Sequence, residues 1–511
     1  MYTLLSLSIT SSVALLFWKY VMSKKPQRPY YPPGPKPMPI IGNFFDLPTK
    51  DLANVYLEWG RKYNSSIVHA IALGSHVVVV NKLEDAAELL DRRAPKYSDR
   101  PEYPILKLMG WEHNVALMRY GEGWFYRRKI AHQIFRKESV KNYHNVLLEK
   151  VHAMLYGILK SPEQFDQHNR MLSVSIPMKT MYGYDVESID DPFVTGADKS
   201  VTLGLEFLVP NASLINTFPI LASVPAWLPG ASVHKLFAEV QQLTNEVFRV
   251  PMDWAKTSMI EGTAVSSVFT EFLERKNTVG ASAEEEAAIA DIAYTAYGGA
   301  TDTTTSVTGS FLYYMAINPG IQAKAQREID GIVGNRLPDF SDRPNMPYVE
   351  AIYREILRSS PPVPMSFPHR LMEDDHYKEY FIPKGTIVFP NIWAMTHEES
   401  VYPEPFTFKP ERFFDENGKL RDEDRILAFG FGRRVCVGEQ VASATVWLTI
   451  ASILATFNIG KARDSSGNEI PIGDEYDDFG LLVYKKHFEC SITPRSRDHH
   501  QLIEAVNTSN A

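Results

Sequence analysis

Phe429-Gly430-Phe431-Gly432-Arg433-Arg434-Val435-Cys436-Val437-Gly438 decides how the rest of the chain is read. It sets one cysteine in a loop broken by glycines, with an arginine two residues before it and an apolar helix-forming run, Glu439 to Ile453, directly after it. A sulfur so placed stands near a helix N-terminus and a guanidinium, and both favour the thiolate. Backbone N–H groups of the turn can point at that sulfur and temper its charge, as they do at metal-bound thiolates. The plainer reading is a buried cysteine beside a helix. The rest of the chain has to separate the two.

With 511 residues the chain can hold several domains, or one large enzyme domain with an appendage. An apolar content of 44% with 34 prolines and 29 glycines is that of a globular protein. The formal charge of −8 offers no footprint for nucleic acid. Cys436 and Cys490 are the only cysteines, which excludes a disulfide scaffold and any multi-cysteine zinc or iron–sulfur site and fits a reducing compartment. The sequons at Asn64, Asn211 and Asn507 carry no meaning on a cytosolic face.

Tyr2 to Met22 is mostly apolar with one charge, Lys19, and is just long enough to cross a bilayer. It has no basic n-region and no small-residue cleavage site, so residues 1–22 are expected to be an uncleaved anchor. Lys24, Lys25 and Arg28 then place the downstream chain on the cytosolic side. Residues 23–39 carry prolines at 26, 29, 32, 33, 35, 37 and 39 and read as a stiff, extended linker. Beyond it, Leu52 to Tyr63 and Leu83 to Leu90 have helical periodicity. Ile67 to Leu73 and His76 to Asn81 form a hairpin about Gly74-Ser75.

Glu102 to Gly123 is irregular but rich in apolar residues, and a long loop of this kind inside a compact protein is usually functional or misread. Trp124 and Arg128, four apart, share a helix face. Val140 to Asn277 is largely helical. Within it Leu203, Leu205, Phe207, Leu208 and Val209 suit either a lid over a pocket or plain core. Ser282-Ala283-Glu284-Glu285 is a capping-box pattern that starts a helix running to about Asn318, where Pro319 ends it. Its middle, Gly298-Gly299-Ala300-Thr301-Asp302-Thr303-Thr304-Thr305, is poor helix interior, since each glycine costs roughly 1 kcal/mol and threonines add to that. Small residues there let a bulky planar group approach the backbone, and a threonine hydroxyl can bond back to a carbonyl.

Downstream, Glu355 and Arg358 are three apart on one helix face, and Pro410-Glu411-Arg412-Phe413 follows. Phe367-Pro368-His369-Arg370 precedes an extended segment, with Val363, Pro364, Met365 and Phe367 aimed at a pocket and Phe479-Gly480-Leu481-Leu482 adding an apolar turn. The polar residues 495–511 read as a loose tail.

The spacing Phe429-x-x-Gly432-x-Arg434-x-Cys436-x-Gly438 resembles the haem-ligand loop of the cytochrome P-450 superfamily, in its microsomal class. Gly299-Ala300-Thr301-Asp302-Thr303 resembles that family's oxygen-binding motif, with Ala300 in place of the usual glycine. Pro32-Pro33-Gly34-Pro35 resembles the hinge after the anchor, and the likeness spans about residue 30 to 494. His369-Arg370-Leu371-Met372-Glu373-Asp374-Asp375 looks most like fungal, secondary-metabolism members.

The resemblance implies a mainly α fold with a smaller β region over residues 40–494, with haem b between two long helices. Cys436 would be the iron ligand, within a loop contributing Phe429, Arg434 and Gly438. Trp124, Arg128 and His369 would hold the propionates, with Arg370 as His369's adjacent competitor. The loop from Glu102 would roof the substrate pocket. Asp302 and Thr303 would relay protons, and Glu355, Arg358 and Arg412 would form a buried structural network. It implies an endoplasmic-reticulum enzyme that inserts one atom of O2 into a lipophilic small molecule by hydroxylation or epoxidation. Its electrons would come from an NADPH-dependent flavoprotein reductase, with Arg433 a docking charge or a haem contact. A desaturase, a rearranging enzyme, a non-catalytic haem protein and a cofactor-free membrane-tethered interaction protein are the alternatives.

Overall fold

The computed structural model describes residues 30–208, 213–224, 232–422 and 425–510. Among them, no helix is long and apolar enough to cross a membrane. The expected anchor, residues 1–22, lies outside them, as does Val209. Helix α1 is Leu52–Lys62, and strands β1 (Ile67–Ala72) and β2 (Ser75–Val80) form the expected hairpin. Its turn is Leu73-Gly74, one residue earlier than the sequence suggests, because both take positive φ (50° and 87°), the requirement of a tight two-residue connection. The second expected helix is α-helical only over Leu83–Ala86 and continues as a π-helix over Ala87–Arg92. Its side of the fold also receives the linker. Residues 30–39 are not a free spacer, since Pro33 accepts the His69 N–H at 3.0 Å and a Cβ on Gly34 would collide with the His69 carbonyl. Only glycine allows that close approach.

The helices that follow are α2 (Glu122–Phe135), α3 (His144–Lys160), α4 (Phe165–Tyr182), α5 (Pro192–Gly204), α6 (Ser232–Glu261), α7 (Ala283–Ile317) and α8 (Pro347–Ser359). Strands β3 (His369–Arg370) and β4 (Ile387–Pro390) extend the hairpin to a sheet of order β1-β2-β4-β3. Here β2 and β4 run parallel and His369 sits opposite Val388. The architecture is mainly α with this smaller β part.

Helix α7 begins where Ser282 accepts the Glu285 N–H at 3.1 Å, with Glu284, Glu285 and Glu286 in its first turn against the positive end of the helix dipole. It continues through its poor middle without a break. The hydroxyls of Thr301, Thr303, Thr305 and Thr308 each donate to the carbonyl four residues back, at 2.7–2.8 Å. Helix α9 (Glu439–Thr456) is apolar all round, and every residue from Ala444 to Thr456 is buried. Burying a side chain such as Leu448 or Ile453 there contributes about 1.5–3 kcal/mol each.

The loop from Glu102 contains more regular structure than expected, a helix at Pro104–Leu108 and a 3-10 turn at Trp111–His113. The end of the chain corrects the sequence reading outright. Residues Arg497–Asn510 form a helix, not a loose tail, with Ile503 buried and Leu502 and Val506 packed on the core. The spacing of those three apolar residues gives that helix one sticky face.

His113, in the 3-10 turn, bonds the buried carboxylate of Asp291 on α7 at 2.9 Å, beside Arg127 and Glu112, and stacks on Phe248 of α6. The hydrogen bond to Asp291 raises the His113 pKa. The stability this bond contributes is therefore complete below the free-histidine value of about 6.5 and is lost as pH rises through the higher folded value. We expect the stabilities of wild type and His113→Gln to differ most below the free-histidine value and to converge as pH rises above it, with a gap of ~1 kcal/mol or less because His113 is partly exposed. A gap that widens with pH would contradict this.

Candidate active site

Cys436 lies on one wall of a cavity of about 380 Å³, and α7 forms the other. The loop carrying it is held by the Cys436 N–H, which donates to Phe429 O at 2.9 Å. Gly432, at φ 56°, lies so close to the Leu90 carbonyl that a Cβ would collide with it. Gly438 lies beside the sulfur, where a Cβ would stand in ordinary contact with Sγ at 3.9 Å. The sulfur is open only toward the cavity, and protein surrounds it beyond. Burial pushes the thiol pKa up, opposed by the Gly438 N–H and by Arg128. The backbone N–H groups expected from the sequence are in place, but the guanidinium that favours the thiolate is that of Arg128 and not Arg434, and desolvation outweighs them all. A soft metal cation at the sulfur is what would tip that balance to the thiolate.

Beside Cys436 the cavity gathers cations. Arg128 donates to Val435 O at 2.7 Å, and burial lowers its pKa. Arg434 donates to Ser98 O and Met118 O at 2.8 and 2.9 Å and lies over the Trp124 ring at 4.1 Å. Its Nη1 is buried without a hydrogen-bond partner, and burial with Arg100 nearby pushes its pKa down to about 8. Arg100 donates to Ala116 O, Phe367 O and Pro368 O, and burial pushes it down to about 10. His369 bonds Tyr97 O through Nδ1 at 2.8 Å, and burial and then Arg100 hold its pKa well below the usual value. Buried, underpartnered guanidinium groups of this kind are costly unless an anion meets them. The donor set fits a group carrying carboxylates.

Arg100 is the residue that sequence reading missed here. In Asp99-Arg100-Pro101 it reads as a surface charge pair. In the fold Asp99 is taken by Arg119 at 2.8 Å and Arg370 at 3.5 Å, which frees Arg100 for the cavity and removes Arg370 from it. Arg433 is exposed and donates to the Tyr120 hydroxyl, so it is not a cavity contact.

Opposite the sulfur, Gly298, Gly299 and Ala300 leave the α7 backbone bare. A Cβ on either glycine would meet nothing within 4 Å, so the space belongs to the cavity and not to packing. Thr303 borders it with its hydroxyl donated to Gly299 O at 2.7 Å. Asp302 also borders it, but its Oδ1 accepts from Arg170 and from the Tyr484 hydroxyl, each at 2.6 Å. Arg170, on α4, is shared with Asp198 of α5, and Tyr484 comes from Val483–Lys485. Among the described residues no hydrogen bond joins Asp302 to Thr303. Neighbours on a helix point about 100° apart, so the acid and the alcohol face different partners. Arg170 and Tyr484 are separated from Asp302 by 132 and 182 residues, and no local pattern announces them.

The remaining wall is mostly apolar, with Val115 and Leu117 from the loop, Leu205 and Leu208, Val363 and Phe367, and Leu481 and Leu482, and it also carries polar side chains such as Asn114, Ser200 and Thr244. Leu203 and Phe207 pack into the neighbouring core, and Met365 is wholly buried there. Glu355, Arg358 and Arg412 lie away from the cavity. Glu355, with no exposed surface, accepts from Arg358 at 2.7 and 2.9 Å and from Arg412 at 3.1 Å.

One cysteine sulfur and a threonine on the lining of the same mostly apolar cavity, with buried cations beside them, form a constellation that can be compared with known families. Residues 32–487 match the family model for Cytochrome P450. The chain is 38% identical over 476 residues to Cytochrome P450 monooxygenase COX2 of Coprinopsis cinerea, covering 91% of this chain and 89% of that one. It is 35% identical over 508 residues to Cytochrome P450 monooxygenase ple1 of Rhodocybe pseudopiperita, covering 98% and 96%. With Cytochrome P450 monooxygenase claR of Ampulloclitocybe clavipes it shares 36% over 484 residues, covering 93% and 88%. The chain therefore belongs to the cytochrome P450 family, and it is an enzyme, a P450 monooxygenase similar to those of fungi.

Proposed function

We propose that this enzyme inserts one oxygen atom from O2 into a lipophilic small molecule, by C–H hydroxylation or epoxidation, in secondary-metabolite biosynthesis. The observation that carries the reading is Cys436 and Thr303 on the lining of one mostly apolar cavity. Haem b fits the residues present. Cys436 would hold its iron, and Arg100, Arg128, Arg434, Trp124 and His369 would receive its propionates. When bound, haem supplies the activation of O2 with electrons from NADPH, and the protein supplies binding, orientation and protons.

On the α7 side, Thr303 keeps a hydroxyl proton in a bond to Gly299 O, from which it can turn to an oxygen in the cavity. Asp302, engaged by Arg170 and Tyr484, is the acid behind it, and Asp198 carries the chain of charges toward solvent. Apolar side chains keep bulk water from the reacting atoms. Electrons would come from an NADPH-dependent flavoprotein reductase on the endoplasmic-reticulum membrane. The catalytic part would stand on the cytosolic face behind a single N-terminal helix, with exposed Arg433 among the docking charges.

The test is reconstitution with such a reductase, a panel of lipophilic metabolites and isotopically labelled O2. Label in the product is the expected result, and product without label would overturn oxygen insertion. Thr303→Ala should keep the haem spectrum and raise NADPH consumed per product roughly tenfold or more, the usual range for losing a positioned proton donor. Full coupling in that variant would remove Thr303 from the relay. Tyr484→Phe removes one donor to Asp302 and should lower coupling while leaving binding of the same metabolites unchanged. Unchanged coupling would make Tyr484 structural only.

A further inference from the structure

Trp111 stands where the roof loop meets α5 and α6, and three separate constraints hold its indole. Its Nε1–H is shared between Thr244 Oγ1 of α6 at 3.2 Å and Ser200 Oγ of α5 at 3.4 Å, and those two hydroxyls bond each other at 3.0 Å. All three residues are buried, with exposures of 5% for Trp111, 3% for Ser200 and 1% for Thr244. The Cζ2–Cη2 edge of the ring lies against Gly204, so close that a Cβ there would stand 2.5 Å from Cη2. Gly110, at φ 72°, turns the chain immediately before it, and the loop is pinned again where Val115 N–H donates to Thr295 Oγ1 at 2.9 Å.

An indole has one hydrogen to donate, and both of its acceptors are already on the protein. What Trp111 offers the cavity it borders is therefore a large apolar ring and no hydrogen bond. Thr295, which ties the loop to α7, is eight residues before Thr303, roughly 12 Å along the helix axis. The loop thus closes the cavity at a distance from the reacting end. A wall fixed by hydrogen bonds to two helices and by contact with Gly204 at the end of α5 does not yield as an isolated side chain would.

We propose that Trp111 is a specificity-determining residue: keyed to Ser200 and Thr244 and seated on Gly204, its indole is the fixed apolar ceiling of the cavity. Substrates end there, and the end they present is apolar. The proposal rests on the monooxygenase reading and refines the substrate class to molecules with an unfunctionalised hydrocarbon terminus distal to the oxidised carbon.

A ladder of 1-alkylimidazoles tests it on the haem-loaded protein. The imidazole nitrogen binds the iron and shifts the Soret band, while the alkyl chain rises into the cavity, so affinity against chain length measures its height without the native substrate. In wild type, affinity should climb with each methylene and then fall roughly tenfold past a cutoff length. A terminal hydroxyl on the longest accepted chain should weaken binding roughly tenfold, since it would be buried against a ring that cannot pair with it. Trp111→Ala should move the cutoff to longer chains while leaving the shortest unchanged. Should that variant fail to fold, Ser200→Ala with Thr244→Val keeps the indole but unkeys it, and chains just past the cutoff should gain several-fold in affinity. A cutoff that stays in place in a folded variant, or tighter binding of the hydroxylated chain, overturns the proposal. Absence of the red-shifted carbon monoxide band in wild type overturns the haem-thiolate reading itself, so the two failures are distinguishable.

Discussion

Cys436→Ala is expected to lose the red-shifted Soret band of the reduced, carbon monoxide-bound protein completely, and NADPH-dependent turnover with it. That band depends on a thiolate ligand, and Cys436 brings the only cysteine sulfur to the cavity wall among the described residues. Cys490 cannot substitute. It lies at the start of the strand Cys490–Pro494, away from the cavity, with its thiol pushed up to about 12 by burial. The variant should fold, because the loop is shaped by backbone: the Cys436 N–H to Phe429 O bond and the positive φ of Gly430 and Gly432 do not need the sulfur. Circular dichroism of the variant should match wild type while the absorbance band is gone. A band of normal position and intensity in folded Cys436→Ala would remove Cys436 as the ligand and with it the centre of the proposed site. His369→Ala is the informative partner. It should retain the band's position but bind haem more weakly, because it removes a buried neighbour of the cation cluster and not the thiolate.

The parts of this site legible in the sequence are those in which one short segment does the whole job. The cysteine loop is such a segment, because its glycines, arginine and cysteine all act within ten residues. The middle of α7 is another, since the glycines and threonines that spoil it as helix are the residues that bare its backbone and back-bond its carbonyls. What stayed hidden depends on long-range partners. Arg100 reads as half of a surface pair until Arg119 takes Asp99 away from it. Arg170, Asp198 and Tyr484 come from three elements and meet only around Asp302, which is why the partners that engage this acid were not legible in the sequence. Trp111 is one of many apolar residues in an irregular loop, and only the two hydroxyls it meets on other helices mark it out. Fold class was legible because caps and periodicity are local. The C-terminal helix was not, because three apolar residues in a polar stretch decide it only once a core surface is there to receive them.

Glu355→Gln should destabilise the protein by about 3–5 kcal/mol, a large share of the ~5–15 kcal/mol by which folded domains are stable. Glu355 has no exposed surface and satisfies four donors: two from Arg358, one from Arg412 and the Lys409 backbone N–H at 2.8 Å. The two guanidinium groups are themselves buried, with side-chain exposures of 3% and 7%. An amide in place of the carboxylate removes the charge that compensates both and turns an NH2 toward donors. The neighbouring Glu411 provides the control, because its partner Lys324 is 47% exposed and Lys324→Ala should cost ~1 kcal/mol or less. Denaturant midpoints of the two variants should therefore separate widely although the altered pairs lie one residue apart in Glu411-Arg412. Removing Glu355 and Arg358 together should cost less than the sum of the single losses, since the second change removes one of the charges that the first leaves stranded. Equal midpoints for Glu355→Gln and Lys324→Ala, or strict additivity of the double variant, would show that this buried network does not hold the α8 side of the fold together.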